Sequence, residues 1–137
     1  MDMPATEILD VRTTTRIETI DITSLIRAAV RKSGIDAGLA CVFCPHTTAG
    51  LTIQENSDPQ VRGDLTDHLS KLVPHDGPYV NADNNSDAHI KSSVIGASLT
   101  VIVEGGKPVL GTWQAIYFCE FDGPRSRRVM VRVIADR

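Results

Sequence analysis

Hydrophobic positions in this chain switch between a period of two and a period of three to four, and the switches mark out strands and helices. Leu25, Ile26, Ala29 and Val30 share one face of a helix from about Thr23 to Ser33; Arg27, Arg31 and Lys32 take the other, and Gly34 stops it. A second helix opens at Asp58-Pro59, an N-cap followed by proline at the first helical position. Val61, Leu65, Leu69 and Leu72 form its apolar stripe, Asp64 and His68 lie one turn apart on its polar side, and it ends before Pro74. Glu7 to Thr15 and Arg16 to Asp21, rich in Thr, Ile and Val, read as an opening pair of strands. Leu39 to Cys44 is a buried strand, and beyond it Leu51 and Ile53 point inward while Thr52 and Gln54 point outward. Leu99 to Glu104 and the segment from Val109 onward flank a Gly105-Gly106 hairpin turn, and Thr112 to Glu120 and Arg127 to Ile134 supply two more strands. The pattern predicts one α+β domain over residues 1–137: about seven mostly antiparallel strands, with two helices covering one sheet face.

Composition narrows the function classes. With 137 residues there is material for one real core and not for two. A net charge of -3 and 4% aromatic residues argue against nucleic acid, which calls for a basic surface and stacking platforms, although Arg125, Arg127 and Arg128 form a local basic patch. No run is long enough to span a membrane and no secretory leader pattern opens the chain, so the expected compartment is the cytoplasm. Three cysteines cannot all pair, which fits a reducing environment. Cys41 and Cys44 spell Cys-x-x-Cys, but positions i and i+3 of a strand point to opposite faces, so they read as core cysteines rather than a metal or redox pair.

Three polar runs stand out: His46-Thr47-Thr48 with Gln54 to Asp58, Asp83 to Ser93, and Glu120 to Arg125. Their mixture of acceptors and donors predicts one composite polar site. Asp83, Asn85 and Asp87 have calcium-loop spacing, but Ala88 stands where that loop needs glycine and Val94 where it needs glutamate. Asp87 is placed to cap a short helix whose first-turn N–H groups, with Lys91 and Ser92, would cradle an anion. Trp113 reads as core or interface.

His46 through Asn56, Asp58-Pro59, Arg62-Gly63-Asp64, Ala88 through Ser93, Gly111 through Gln114, Glu120 and Gly123-Pro124-Arg125 together resemble the YjbQ-like family, in order and over nearly the whole chain. The resemblance implies a compact α+β homotrimer with its polar site at or near subunit boundaries. It also implies a secondary thiamine-phosphate synthase activity, a transferase joining a pyrimidine diphosphate to a thiazole phosphate with loss of pyrophosphate. One departure is that many relatives carry a histidine where this chain has Asn81.

Such a displacement needs cations or amide donors on the leaving group and little covalent work. Lys91, Ser92 and Arg125 are the candidate phosphate contacts, with Thr47, Thr48, Asn56 and Gln114 as further substrate contacts. His46, Asp64, His89 and Glu120 are the candidate catalytic residues. A divalent metal is a candidate cofactor: oxygen ligands from Asp64 and Glu120 suit magnesium, whereas His46 and His89, completed by Glu120, suit zinc. The partner expected is a small phosphorylated metabolite. Two other readings stay open, a non-catalytic trimer that binds a metal or phosphometabolite, and a metal-assisted hydrolase with Glu120 or Asp64 as base.

Overall fold

The computed structural model describes residues 6–136. Eight strands and three helices follow in the order β1 (Glu7–Arg12), β2 (Glu18–Asp21), α1 (Thr23–Ser33), β3 (Gly38–Phe43), β4 (Ala49–Glu55), α2 (Pro59–Leu72), α3 (Ser86–Ile95), β5 (Ser98–Glu104), β6 (Lys107–Pro108), β7 (Gln114–Glu120) and β8 (Ser126–Ala135). They make two antiparallel sheets, a five-stranded one in the order β1-β8-β3-β5-β6 and a three-stranded one in the order β2-β7-β4.

The main core lies between the sheets and α1. Ile26 and Val30 of α1, Ala40 and Val42 of β3, Ile116 and Phe118 of β7, and Val129 and Val131 of β8 meet there. A smaller cluster of Leu69, Ala88, Cys119 and Phe121 fills the far side of β7 under α2 and α3. Strand β7 is therefore covered on both faces and buried from Ala115 onward. Its alternation fixes the site, because Glu120 is in phase with Ile116 and Phe118 and so faces the space between the sheets.

Some expectations are corrected. The opening strands do not pair with each other; β1 joins β8 and β2 joins β7, so the segment from Thr13 to Ile17 crosses from one sheet to the other. The helices number three and do not share one sheet face, since α1 packs into the main core while α2 and α3 lie over the small cluster. The α2 stripe is shallow, with Leu69 its one buried residue and Leu72 66% exposed. The strand expected from Val109 is replaced by the short Lys107–Pro108, beyond which a single Val109 N–H bond to the Ile102 carbonyl at 2.7 Å ends the pairing, and β7 starts at Gln114 rather than Thr112. Trp113 is 62% exposed and takes no part in the core. The cysteine reading holds for Cys44, which is buried with Cys119, and is corrected for Cys41, which the strand alternation turns to the exposed face; all three are free thiols.

Candidate functional site

The Glu120 carboxylate is fully inaccessible, as is that of Asp87, and it is paired with Arg127 at 5% exposure. Arg127 Nε donates to Oε1 at 2.8 Å and Nη2 donates to Oε2. Thr13 Oγ1 donates to Oε1 at 2.8 Å, and the N–H groups of Phe121 and Asp122 donate to Oε2, both at 3.0 Å. Arg127 Nη2 also donates to Thr48 Oγ1 at 2.8 Å. Burial disfavours the charged carboxylate, but the hydrogen bonds from Arg127, Asp122 N–H and Thr13 outweigh it and hold Glu120 below the usual carboxylate range. The following turn needs Gly123: a Cβ there would run into the Thr15 carbonyl and stand 2.8 Å from both Glu120 Cγ and Thr13 Oγ1.

A second network adjoins it through that turn. Arg16 grips the buried Asp87 with two bonds of 3.1 Å, and Lys91 Nζ lies 3.6 Å from the same carboxylate and 3.4 Å from Ser70 Oγ. Asp122 accepts from Asn85 Nδ2 at 2.9 Å and from Arg125 Nη2 at 3.0 Å, with Arg16 Nε 3.8 Å away. Asn81, at the position of departure from the family pattern, donates to Asn85 Oδ1 at 2.7 Å and so braces the same loop. Burial works against Asp87 and Asp122 too, yet these contacts keep both below the normal range. Burial pushes the Lys91 ammonium down, and Asp87 offsets part of that. The two networks hold four cations (Arg16, Lys91, Arg125, Arg127) against three ionised carboxylates (Asp87, Glu120, Asp122), an excess of one positive charge.

The expected metal set of His46, His89 and Glu120 is not assembled. Both Glu120 oxygens are saturated, and His89 is exposed on α3. His46 Nε2 accepts from the Arg128 N–H at 2.9 Å, so the lone pair is used and Nδ1 carries the proton. Burial, then the charge of Arg127, pushes the His46 pKa down and keeps the ring neutral. Among the described residues, no three His, Cys, Asp or Glu side chains stand close enough to hold a metal ion.

The anion cradle is corrected as well. Lys91 is 1% exposed and turned to Asp87, Ser92 Oγ donates to the Ala49 carbonyl at 2.7 Å, and Asn85 rather than Asp87 occupies the N-cap of α3. Of the predicted phosphate contacts, Arg125 remains at the surface; its Nε donates to the Asp122 carbonyl at 2.8 Å and its side chain is 53% exposed. Thr48 is buried on Arg127 and Thr47 is exposed beside it. Asn56 and Gln114 belong elsewhere: Asn56 Nδ2 donates to the Thr112 carbonyl at 3.2 Å, and Gln114 Oε1 accepts from Gly111 N–H at 2.8 Å. They sit at the far end of β7 from Glu120, roughly 20 Å away at 3.3 Å per residue. Asp64 is exposed on α2.

Thr13, Arg16, Asp122 and the interior role of Arg127 were missed from sequence. A period-two count would have found two of them, since Arg127 is in phase with the buried Val129, Val131 and Val133, and Thr13 with the buried Val11.

The model of the UPF0047 protein YjbQ-like family matches residues 7–136. UPF0047 protein MJ1081 of Methanocaldococcus jannaschii is 49% identical over 127 residues, spanning 93% of this chain and 92% of its own. UPF0047 protein YugU of Bacillus subtilis is 47% identical over 127 residues, spanning 92% and 96%. The crystal structure of a YjbQ/UPF0047-family protein from Clostridium acetobutylicum superposes with a TM-score of 0.92 at 51% identity, covering 93% of this chain and 99% of that one.

Proposed function

The chain belongs to the YjbQ-like UPF0047 family, and from that premise we propose that it binds a small phosphorylated metabolite at the Glu120-to-Arg125 turn, at the boundaries of a homotrimer. The observation that carries this reading is the cation surplus, together with a half-exposed Arg125 whose guanidinium is pre-aimed by Asp122. Its outward N–H groups are free to meet an anion without first being ordered.

The reaction proposed is thiamine-phosphate synthase-like transfer. A thiazole ring nitrogen attacks the exocyclic methylene carbon of a pyrimidine diphosphate, the new carbon–nitrogen bond forms, the carbon–oxygen bond breaks, and pyrophosphate leaves with the bond electrons. Such a displacement needs positive charge on the leaving group and no general base. That suits a site whose carboxylates are all engaged with cations. Hydrolysis with Glu120 as base is less well supported, because Arg127 holds that carboxylate in its ionised, fully bonded form. Non-catalytic binding of a phosphometabolite is the second reading, favoured by the burial of Lys91 away from solvent. A protein-only metal centre does not fit these residues.

Calorimetry with inorganic pyrophosphate, paired with an assay on the two thiamine precursors, tests the proposal. Arg125→Ala should weaken pyrophosphate binding by roughly 1 to 2 kcal/mol while leaving the melting temperature unchanged. Wild-type affinity in that variant would sink the site, and binding without turnover would select the non-catalytic reading.

A further inference from the structure

We propose that a basic groove at the C-terminal end of α1 is a second, separate anion site, taking a small molecule that bears a polyphosphate chain. A cavity of about 610 Å3 opens there between the end of α1 and the β5–β6 turn, lined by Arg27, Arg31 and Lys107, with Asp36 the one carboxylate in its wall. That volume falls within the usual range for small-molecule pockets, roughly 300 to 1,000 Å3.

The charges there are unspent. Lys32, the neighbour of Arg31, is paired with Glu7 at 2.9 Å. Arg27, Arg31 and Lys107 have no ion pair and no side-chain hydrogen bond among the described residues. Arg31 lies in the last turn of α1, where the helix dipole favours a cation. That effect fades within one turn and leaves Arg27 without a local reason, while Arg27 and Arg31 repel each other as like charges at i and i+4; Lys107 stands opposite Glu104 across the hairpin. Three cations stand against Asp36 in the wall and Glu104 opposite Lys107, a surplus of one positive charge, and the three separate cationic groups suit the several oxygens of a di- or triphosphate better than a monoanion.

The groove is also held in shape. Gly106 N–H donates to the Asp36 carbonyl at 3.0 Å, fastening the β5–β6 turn to the loop after α1, so Lys107 is set against the two arginines. Gly105 and Gly106 both have positive φ, 59° and 72°, and carry no side chain to screen the opening. No aromatic lines the cavity, so the phosphate chain rather than a stacked base would supply recognition. The groove borders the Gly38 end of β3, whereas Thr48 and Glu120 lie past its Phe43 end, roughly 20 Å away at 3.3 Å per residue.

The test is titration of the full chain with sodium tripolyphosphate, followed by amide NMR and calorimetry. Gly34, Gly105 and Gly106 should shift, and the Arg27→Ala/Arg31→Ala double variant should lose at least about tenfold in affinity at this site while melting like wild type, since both side chains are exposed. Arg125→Ala should leave those three shifts in place. Unmoved glycines at millimolar tripolyphosphate would overturn the inference, as would wild-type affinity in the double variant. Shifts confined to residues 120–125 would overturn it while sparing the first site, and an equal response to sulfate would overturn the polyphosphate assignment.

Discussion

Arg127 of β8 reaches from the five-stranded sheet to Glu120 of β7 in the three-stranded one, so a buried ion pair joins the two sheets at the edge of their shared core. Removing one partner leaves an uncompensated charge where water cannot reach. Glu120→Ala should cost about 3 to 5 kcal/mol in urea unfolding. The double variant Glu120→Leu/Arg127→Met should recover part of this and stay below wild type, because the Phe121 and Asp122 N–H groups and the Thr13 hydroxyl lose their acceptor. A loss under about 1 kcal/mol for Glu120→Ala would mean the pair adds little to the fold.

Acid should undo the same networks. Glu120, Asp87 and Asp122 all have folded pKa values below their ordinary ones, so each contributes stability that is full above its unfolded value and lost as pH falls through the folded one. The loss should set in below about pH 4.3, the unfolded glutamate value, and deepen toward pH 2. Glu120→Gln should flatten that slope in unfolding measured as a function of pH. An identical slope in the variant would show that other carboxylates govern acid unfolding.

His46 makes a separate, milder contribution of the same sign. Its folded pKa is lowered by burial and by Arg127, so its share of stability is full above about pH 6.5 and falls as the solution is acidified. Imidazole nitrogen shifts should report the Nδ1-protonated neutral ring at pH 7, with Nε2 as acceptor from Arg128 N–H. The opposite tautomer would make His46 Nε2 a donor and leave the Nδ1 lone pair open to a metal.

How much of this was legible in the sequence depends on how far apart the determinants lie. The Asp58-Pro59 start is a local signal and holds, with the Asp58 carboxylate accepting from Gln60 N–H at 2.9 Å; the stop at Gly34, φ 71°, is equally local. The pairing of β1 with β8 is settled by residues more than a hundred positions away, which no local pattern specifies. The site failed for another reason. The buried face of α3 is made of Asp87, Ala88, Lys91 and Ser92, a helical spacing built largely from polar residues, so a hydrophobicity count sees no face and assigns Lys91 to solvent. A polar residue in phase with a buried stripe is the signal that finds Arg127, and this chain uses it on α3 as well.

The outer face of the five-stranded sheet supplies the last prediction. An antiparallel sheet with one face in water normally places polar residues there, but Leu39, Phe43, Ile102 and Ile134 are 46%, 43%, 54% and 56% exposed. Register sets Leu39 between Ile134 and Ile102, and Phe43 beside Met130, which in turn pairs with Ile8; the row of Arg132, Cys41 and Thr100 lies between the two groups. Two exposed apolar groups on one sheet face, bordered by polar side chains, mark a contact surface. The motif residues at opposite ends of β7 also need a neighbouring copy if Gln114 and Glu120 are to serve one site, so closure of identical subunits accounts for both observations. Light scattering at micromolar concentration should return three times the mass of the chain. Phe43→Glu, which places a charge on the patch without touching the core, should shift that mass to one chain and leave the far-ultraviolet circular dichroism intact. A wild-type monomer or dimer would refute the trimer, and a Phe43→Glu variant that remains trimeric would move the interface to another face.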